Sequence, residues 1–364
     1  MPLDGERYET LDGFRALAIV LLVVGHYSLS WPPMPHFGTV GLQLDLAIVA
    51  FFVLTGFLMT SRLLREWDRT GDLVISRYWL RKLVRFYPLL VVFVLFTSVH
   101  QSLRAVEVPV LRVLAVLGFA GNYYYALADG DAGRHIISHL WPLAVGVQFV
   151  VIWTLVLRVA LRAGRLHWLT GGTIFGITAV MAIRTWLVWY TEVPPLYVYN
   201  ATECRVDALM VGSLLALMLR GPRSSKWFDD LAARPAFTPT VLATLLISVS
   251  GSLFYRRGPG YTVEALAVAL LIVAALRAER AARWRWLRSS AFLHLSAVSF
   301  SLMLWHWYPL GVDARASAFP FALRAPIVLL ITGGVGVAAY LVLERPLLIL
   351  SRRMAERDRE IVSR

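Results

Sequence analysis

Apolar residues run in long, nearly unbroken stretches along the chain, and the short links between them are rich in arginine. Eleven such stretches can be drawn, at about 11–30, 42–61, 84–100, 109–127, 140–161, 168–189, 206–219, 238–254, 261–276, 291–310 and 326–343. Many approach the roughly 20 residues an α-helix needs to cross a hydrocarbon core about 30 Å thick. The pattern predicts an all-α, polytopic membrane protein.

Link charge tests which stretches cross. The link 62–85 carries Arg62, Arg65, Arg69, Arg77, Arg81, Lys82 and Arg85, and 158–165, 220–226, 277–288 and the tail 345–364 are also basic. These five are expected on the cytoplasmic side, because positive residues are retained there. Links 31–41 and 190–204 contain no Lys or Arg and 311–325 contains two, so these three are expected outside. Two cytoplasmic termini require an even number of crossings, so one of the eleven stretches must return to the side it left. The fourth is the candidate, because it carries Arg112 and "GNYYY" and neither flanking link is strongly basic. The expectation is about ten transmembrane helices plus one re-entrant or interfacial segment. It places a single transmembrane domain over 1–350 and a basic cytoplasmic tail over 351–364.

Composition narrows the function. At 58% hydrophobic and 16% charged residues, the 364-residue chain is too apolar for a water-soluble domain. The net charge of +13 could suggest nucleic acid, but the arginines are dispersed through the links, which is membrane topology and argues against that partner. The single cysteine, Cys204, excludes an internal disulfide or a thiolate-built metal centre, and no other metal-ligand spacing is present. Only Lys82 and Lys226 among the 36 basic residues are lysines, a skew that hints at a GC-rich bacterial genome and hence a bacterial cytoplasmic membrane.

Two polar side chains interrupt the first stretch. In "RALAIVLLVVGH", Arg15 and His26 are eleven residues apart. That is three helical turns plus about 20°, so both project from one face about 16 Å apart along the axis. They either line one tunnel or bound the span, Arg15 snorkelling to one interface and His26 ending the helix near the other. Other polar groups at span ends are Arg205 with Asp207, Glu344 with Arg345, and Glu264 within the ninth stretch.

"LDGFRALAIVLLVVGH" resembles the opening motif of the membrane acyltransferase-3 family, in which an arginine is followed by ten residues and then a histidine. Co-linear matches follow in "FFVLTGFLM", "LRKLVRFYPLL", "HLWPLAVGVQF", "TECRVDALMVGSLLAL", "SFSLMLWHWYPL" and "YLVLERPLL". The resemblance implies an integral-membrane O-acyltransferase moving an acyl group, acetyl by expectation, from acyl-coenzyme A to a hydroxyl of a carbohydrate or glycosylated acceptor. Such acceptors include surface glycans, lipid-linked sugars and natural-product hydroxyls. The family's histidine falls on His26, expected as general base or nucleophile, and Arg15 is expected to bind the donor.

Arg81, Lys82 and Arg85 resemble the family's second arginine motif and are expected to hold donor phosphates. Lys82 stands where an arginine is usual, which loses a bidentate fork. Asp45 lies one turn from the usual carboxylate position, now Val49; it is expected to orient His26, or else to cap its helix. Gly146 and Val147 occupy the family's glutamate places, so any role of that carboxylate is lost. His139, Trp141 and His306 are candidates for contact with the acceptor, or members of an interfacial aromatic belt. A transporter or flippase for glycosylated metabolites is the alternative, disfavoured by the lack of an internal repeat. A catalytically silent scaffold is a further one.

Overall fold

The computed structural model describes residues 8–29, 40–127, 136–277, 282–309, 321–351 and 353–354, and these are helical with short connections. The expected basic tail lies almost wholly outside the described residues. Long helices come first: α1 (Glu9–Leu29), α2 (Val40–Thr70) and α3 (Ile75–Ser102). Short α4 (Val110–Leu117) and α5 (Gly121–Leu127) follow, then a 3₁₀ turn (Ser138–Leu140) leading into α6 (Trp141–Arg162) and α7 (Leu166–Tyr190). Two brief helices, α8 (Pro195–Asn200) and α9 (Thr202–Arg205), precede α10 (Asp207–Arg220), α11 (Pro222–Ala233) and α12 (Phe237–Val249). The chain continues through α13 (Leu253–Tyr255), a π turn (Arg256–Gly260), α14 (Tyr261–Arg277), a 3₁₀ segment (Ala282–Arg288), α15 (Ser290–Trp305) and α16 (Phe321–Ala339).

Among the described residues, seven helical segments are long and apolar enough to cross a membrane, or eight if the pair α11–α12, bent by 86°, counts as one. The expected count of about ten is not confirmed among the described residues, where some apolar runs form helices too short to be counted. The run 206–219 becomes α10, 14 residues or about 21 Å, and is packed inside the bundle. The run 291–310 becomes the 16-residue α15. The fourth stretch breaks into α4 and α5 across Gly118–Ala120, where Phe119 adopts φ +56°.

The core is built on α2 and α10. A Cβ on Gly212 would lie 2.0 Å from the Val53 carbonyl oxygen, and one on Gly56 would lie 2.0 Å from that of Leu209, so the two backbones touch. Thr60 donates to the Ser213 hydroxyl at 3.0 Å just beside this crossing. Small residues permit close approach where lipid gives helices no hydrophobic drive to associate. Gly212→Ala is therefore expected to cost about 1–3 kcal/mol through overpacking, read as a lowered unfolding midpoint of the purified chain. An unchanged midpoint would contradict the crossing.

Candidate functional site

α1 carries Arg15 and His26 on one uninterrupted helix, so they mark two ends of the bundle about 16 Å apart along its axis. At the His26 end, three histidines from distant parts of the chain converge. His26 Nδ1 is 2.9 Å from His306 Nε2. The His139 ring packs edge-on against His306 with centroids 5.0 Å apart, and Trp307 meets the His26 ring edge-on at 4.5 Å.

Local structure fixes proton positions here. His306 follows the last residue of α15, and its Nδ1 turns back to the carbonyls of Leu302 at 3.0 Å, which also accepts the His306 backbone N–H, and of Met303 at 2.8 Å. Carbonyls only accept, so Nδ1 of His306 bears the hydrogen; in the neutral ring Nε2 is then an acceptor. His26 must donate to it from Nδ1, which puts the lone pair of a neutral His26 on Nε2. This is the tautomer a general base requires, with His306 in the orienting place.

Several residues take places other than those expected. Both ring nitrogens of His306 are committed, to His26 and to backbone. His139 is also committed: Nδ1 is 3.0 Å from the Ile136 carbonyl and Nε2 is 3.1 Å from that of Leu304, so the ring ties the entry of α6 to the end of α15. Asp45 belongs to a different group. It accepts from the Tyr261 hydroxyl at 3.1 Å and pairs with Arg256 at 3.5 Å, and these contacts replace its expected orientation of His26. Trp141 packs on Tyr199 with centroids 5.0 Å apart and covers the Arg205 guanidinium at 5.4 Å.

The charges beside Asp45 form a buried network that joins several helices. Asp207, close to Arg205 in sequence, pairs with Arg184 of α7 at 3.0 Å. Arg184 also donates to the carbonyls of Gly258 at 2.8 Å and Cys204 at 2.7 Å and to the Thr262 hydroxyl at 2.7 Å, locking α7, α9 and the start of α14 together. Glu264 accepts from Arg256 at 3.2 Å. Nearby, Tyr123 and Tyr197 both donate to Glu203; that bond and burial push the Tyr197 phenol up to about 12.

At the Arg15 end, Asp12 lies 3.7 Å from Arg15 and accepts from Ser296 at 3.4 Å. Lys82 lies over the Tyr78 ring at 5.1 Å, within electrostatic reach of Arg62 and Arg85. Arg85 pairs with Glu344 at 3.4 Å, and Glu344 accepts from Ser301 at 2.7 Å. Arg81 lies one turn before Arg85 on α3, its carbonyl accepting from the Ser351 hydroxyl at 3.3 Å. Arg62, which spacing gave no reason to single out, joins the cluster from α2 only through tertiary packing.

A bundle of apolar helices with a polar site at each end defines a multi-pass membrane protein. Residues 8–343 match the family described as an acyltransferase domain, and the chain belongs to this acyltransferase-3 family. The peptidoglycan O-acetyltransferase OatA of Listeria monocytogenes is 26% identical over 264 residues, covering 68% of this chain and 41% of its own length. The O-acetyltransferase OatA of Staphylococcus aureus is 24% identical over 315 residues, covering 83% of this chain and 50% of its own. The chain thus spans about half the length of the curated relatives it matches. No solved structure matches it significantly. The family favours acyl transfer over the transporter or flippase alternative.

Proposed function

We propose that this chain is an integral-membrane O-acetyltransferase of a bacterial cytoplasmic membrane. It takes an acetyl group from acyl-coenzyme A at the Arg15 end and passes it to a glycan hydroxyl at the His26 end. The observation that carries this reading is the His26–His306 hydrogen bond, with His306 anchored to the carbonyls of Leu302 and Met303. Names of relatives that acetylate peptidoglycan support a glycan acceptor.

In the step we envisage, the acceptor hydroxyl gives its proton to His26 Nε2 as its oxygen attacks the thioester carbonyl. The C–S bond breaks, and the proton passes from His26 to the departing thiolate. His306 steadies the imidazolium through the same hydrogen bond, as an orienting group does in a nucleophile–base pair. Arg15, Arg81, Lys82 and Arg85 attract the donor's phosphates, with the two termini of the chain on the same, cytoplasmic side. A pantetheine arm is long and thin enough to cover the axial distance between the two ends.

The test supplies the full chain in lipid nanodiscs with acetyl-labelled coenzyme A and a peptidoglycan disaccharide. Label is expected in an ester on the glycan; label that never reaches a hydroxyl would overturn the reading. Lys82→Ala is expected to raise the KM for the thioester about tenfold or more with little change in kcat, because a phosphate contact is made before and during reaction alike. A fall in kcat at constant KM would move Lys82 out of the donor site.

A further inference from the structure

The aromatic box around Arg205 is used by neither of the two ends described above. Arg205 is 2% exposed, yet Nη1 and Nη2 have no hydrogen-bond partner among the described residues. Its guanidinium lies 3.8 Å from the Tyr261 ring centroid, 5.4 Å from Trp141 and 5.6 Å from Tyr199. Cation–π contacts of this kind satisfy the faces of the guanidinium and leave the in-plane N–H groups unpaired. Unpaired buried donors cost free energy comparable to their lost hydration, so a native structure keeps them where something else accepts.

The surroundings select what that is. Asp45, 14% exposed, opens one side of the box, while Arg205 and Arg256 are each at most 2% exposed. Two cations, Arg205 and Arg256, face two carboxylates, Asp45 and Glu264, so the box is already balanced and has no surplus charge for an ion. Arg184 and Asp207 behind it neutralise each other. Asp45 is already engaged by Tyr261 and Arg256, so what remains is the pair of Arg205 donors beside aromatic rings, groups that suit the hydroxyls and apolar C–H face of a sugar ring.

Position agrees with this. Trp141 is two residues from His139, so their Cα atoms are no more than about 7 Å apart. His139 in turn packs on His306, which holds His26.

We propose that Arg205, Trp141, Tyr199, Tyr261 and Asp45 form a subsite for an uncharged, N-acetylated sugar ring of the acceptor, whose hydroxyl or amide oxygens accept from Arg205. The proposal rests on the glycan-acetyltransferase reading but is tested by binding alone. Saturation-transfer NMR titration of the full chain in nanodiscs with N,N′-diacetylchitobiose is expected to show binding that weakens tenfold or more in Arg205→Gln. Arg205→Lys keeps the charge but loses the planar fork, and is expected to weaken binding about fivefold with an unchanged unfolding midpoint. It serves as the deciding variant should Arg205→Gln fail to fold. Equal binding by wild type and Arg205→Lys, or no saturation of wild type, would overturn the subsite. Binding that depends on Arg205 in a chain that transfers no acetyl group would instead sink the proposed activity and leave the subsite standing.

Discussion

His26→Ala is expected to cut acetyl transfer by about 10²- to 10⁴-fold, the range a positioned general base supplies. Loss of the ring removes the proposed proton acceptor while leaving the cationic cluster around Arg15, Lys82 and Arg85, the proposed donor site, untouched. The KM for the thioester is therefore expected to stay within about twofold, and the fall to appear in kcat. The ring's neighbours, His306 and the edge of Trp307, lie at a helix end, away from the tight α2–α10 crossing. Monodisperse elution and an unfolding midpoint near that of wild type would show that the fall is chemical. Full activity in His26→Ala would remove this residue from the reaction.

The second large effect is expected at His306. His306→Leu deletes the side-chain acceptor that, beside the Leu22 backbone, holds the His26 ring, and misplacing a catalytic group costs on the order of 10²-fold. His306→Gln offers an amide oxygen in a similar place and is expected to recover most of that loss. The conservative rescue separates an orienting role from mere packing, since leucine fills the space and glutamine restores the hydrogen bond. Steady-state kcat for the three proteins decides it: equal losses in Leu and Gln variants would make His306 a packing residue only.

Much of the fold was written in the apolar runs, and the paired placement of Arg15 and His26 in their spacing, because helical geometry alone relates residues on one helix. Helix length was less legible. The run 206–219 forms the 14-residue α10, and nothing local announces its close packing on α2 through Gly56 and Gly212. Partners across helices were the least legible. Asp45 shares its face with Val49 whatever lies opposite, and only packing of α14 puts Tyr261 and Arg256 before it. Arg205 and Asp207 stand two positions apart at one span end, but α7 brings Arg184 to Asp207 and leaves Arg205 among rings. His306 could be seen as an aromatic-flanked histidine in "LWHWYPL", but nothing local says that it meets a ring 280 positions earlier.

The central claim is that the two rings act as one unit, and a double-mutant cycle on kcat measures that directly. If His306 works only by holding His26, then His26→Ala combined with His306→Leu will be no slower than His26→Ala alone. Losses that multiply in the double variant would mean that each ring contributes separately, and the dyad account would fail.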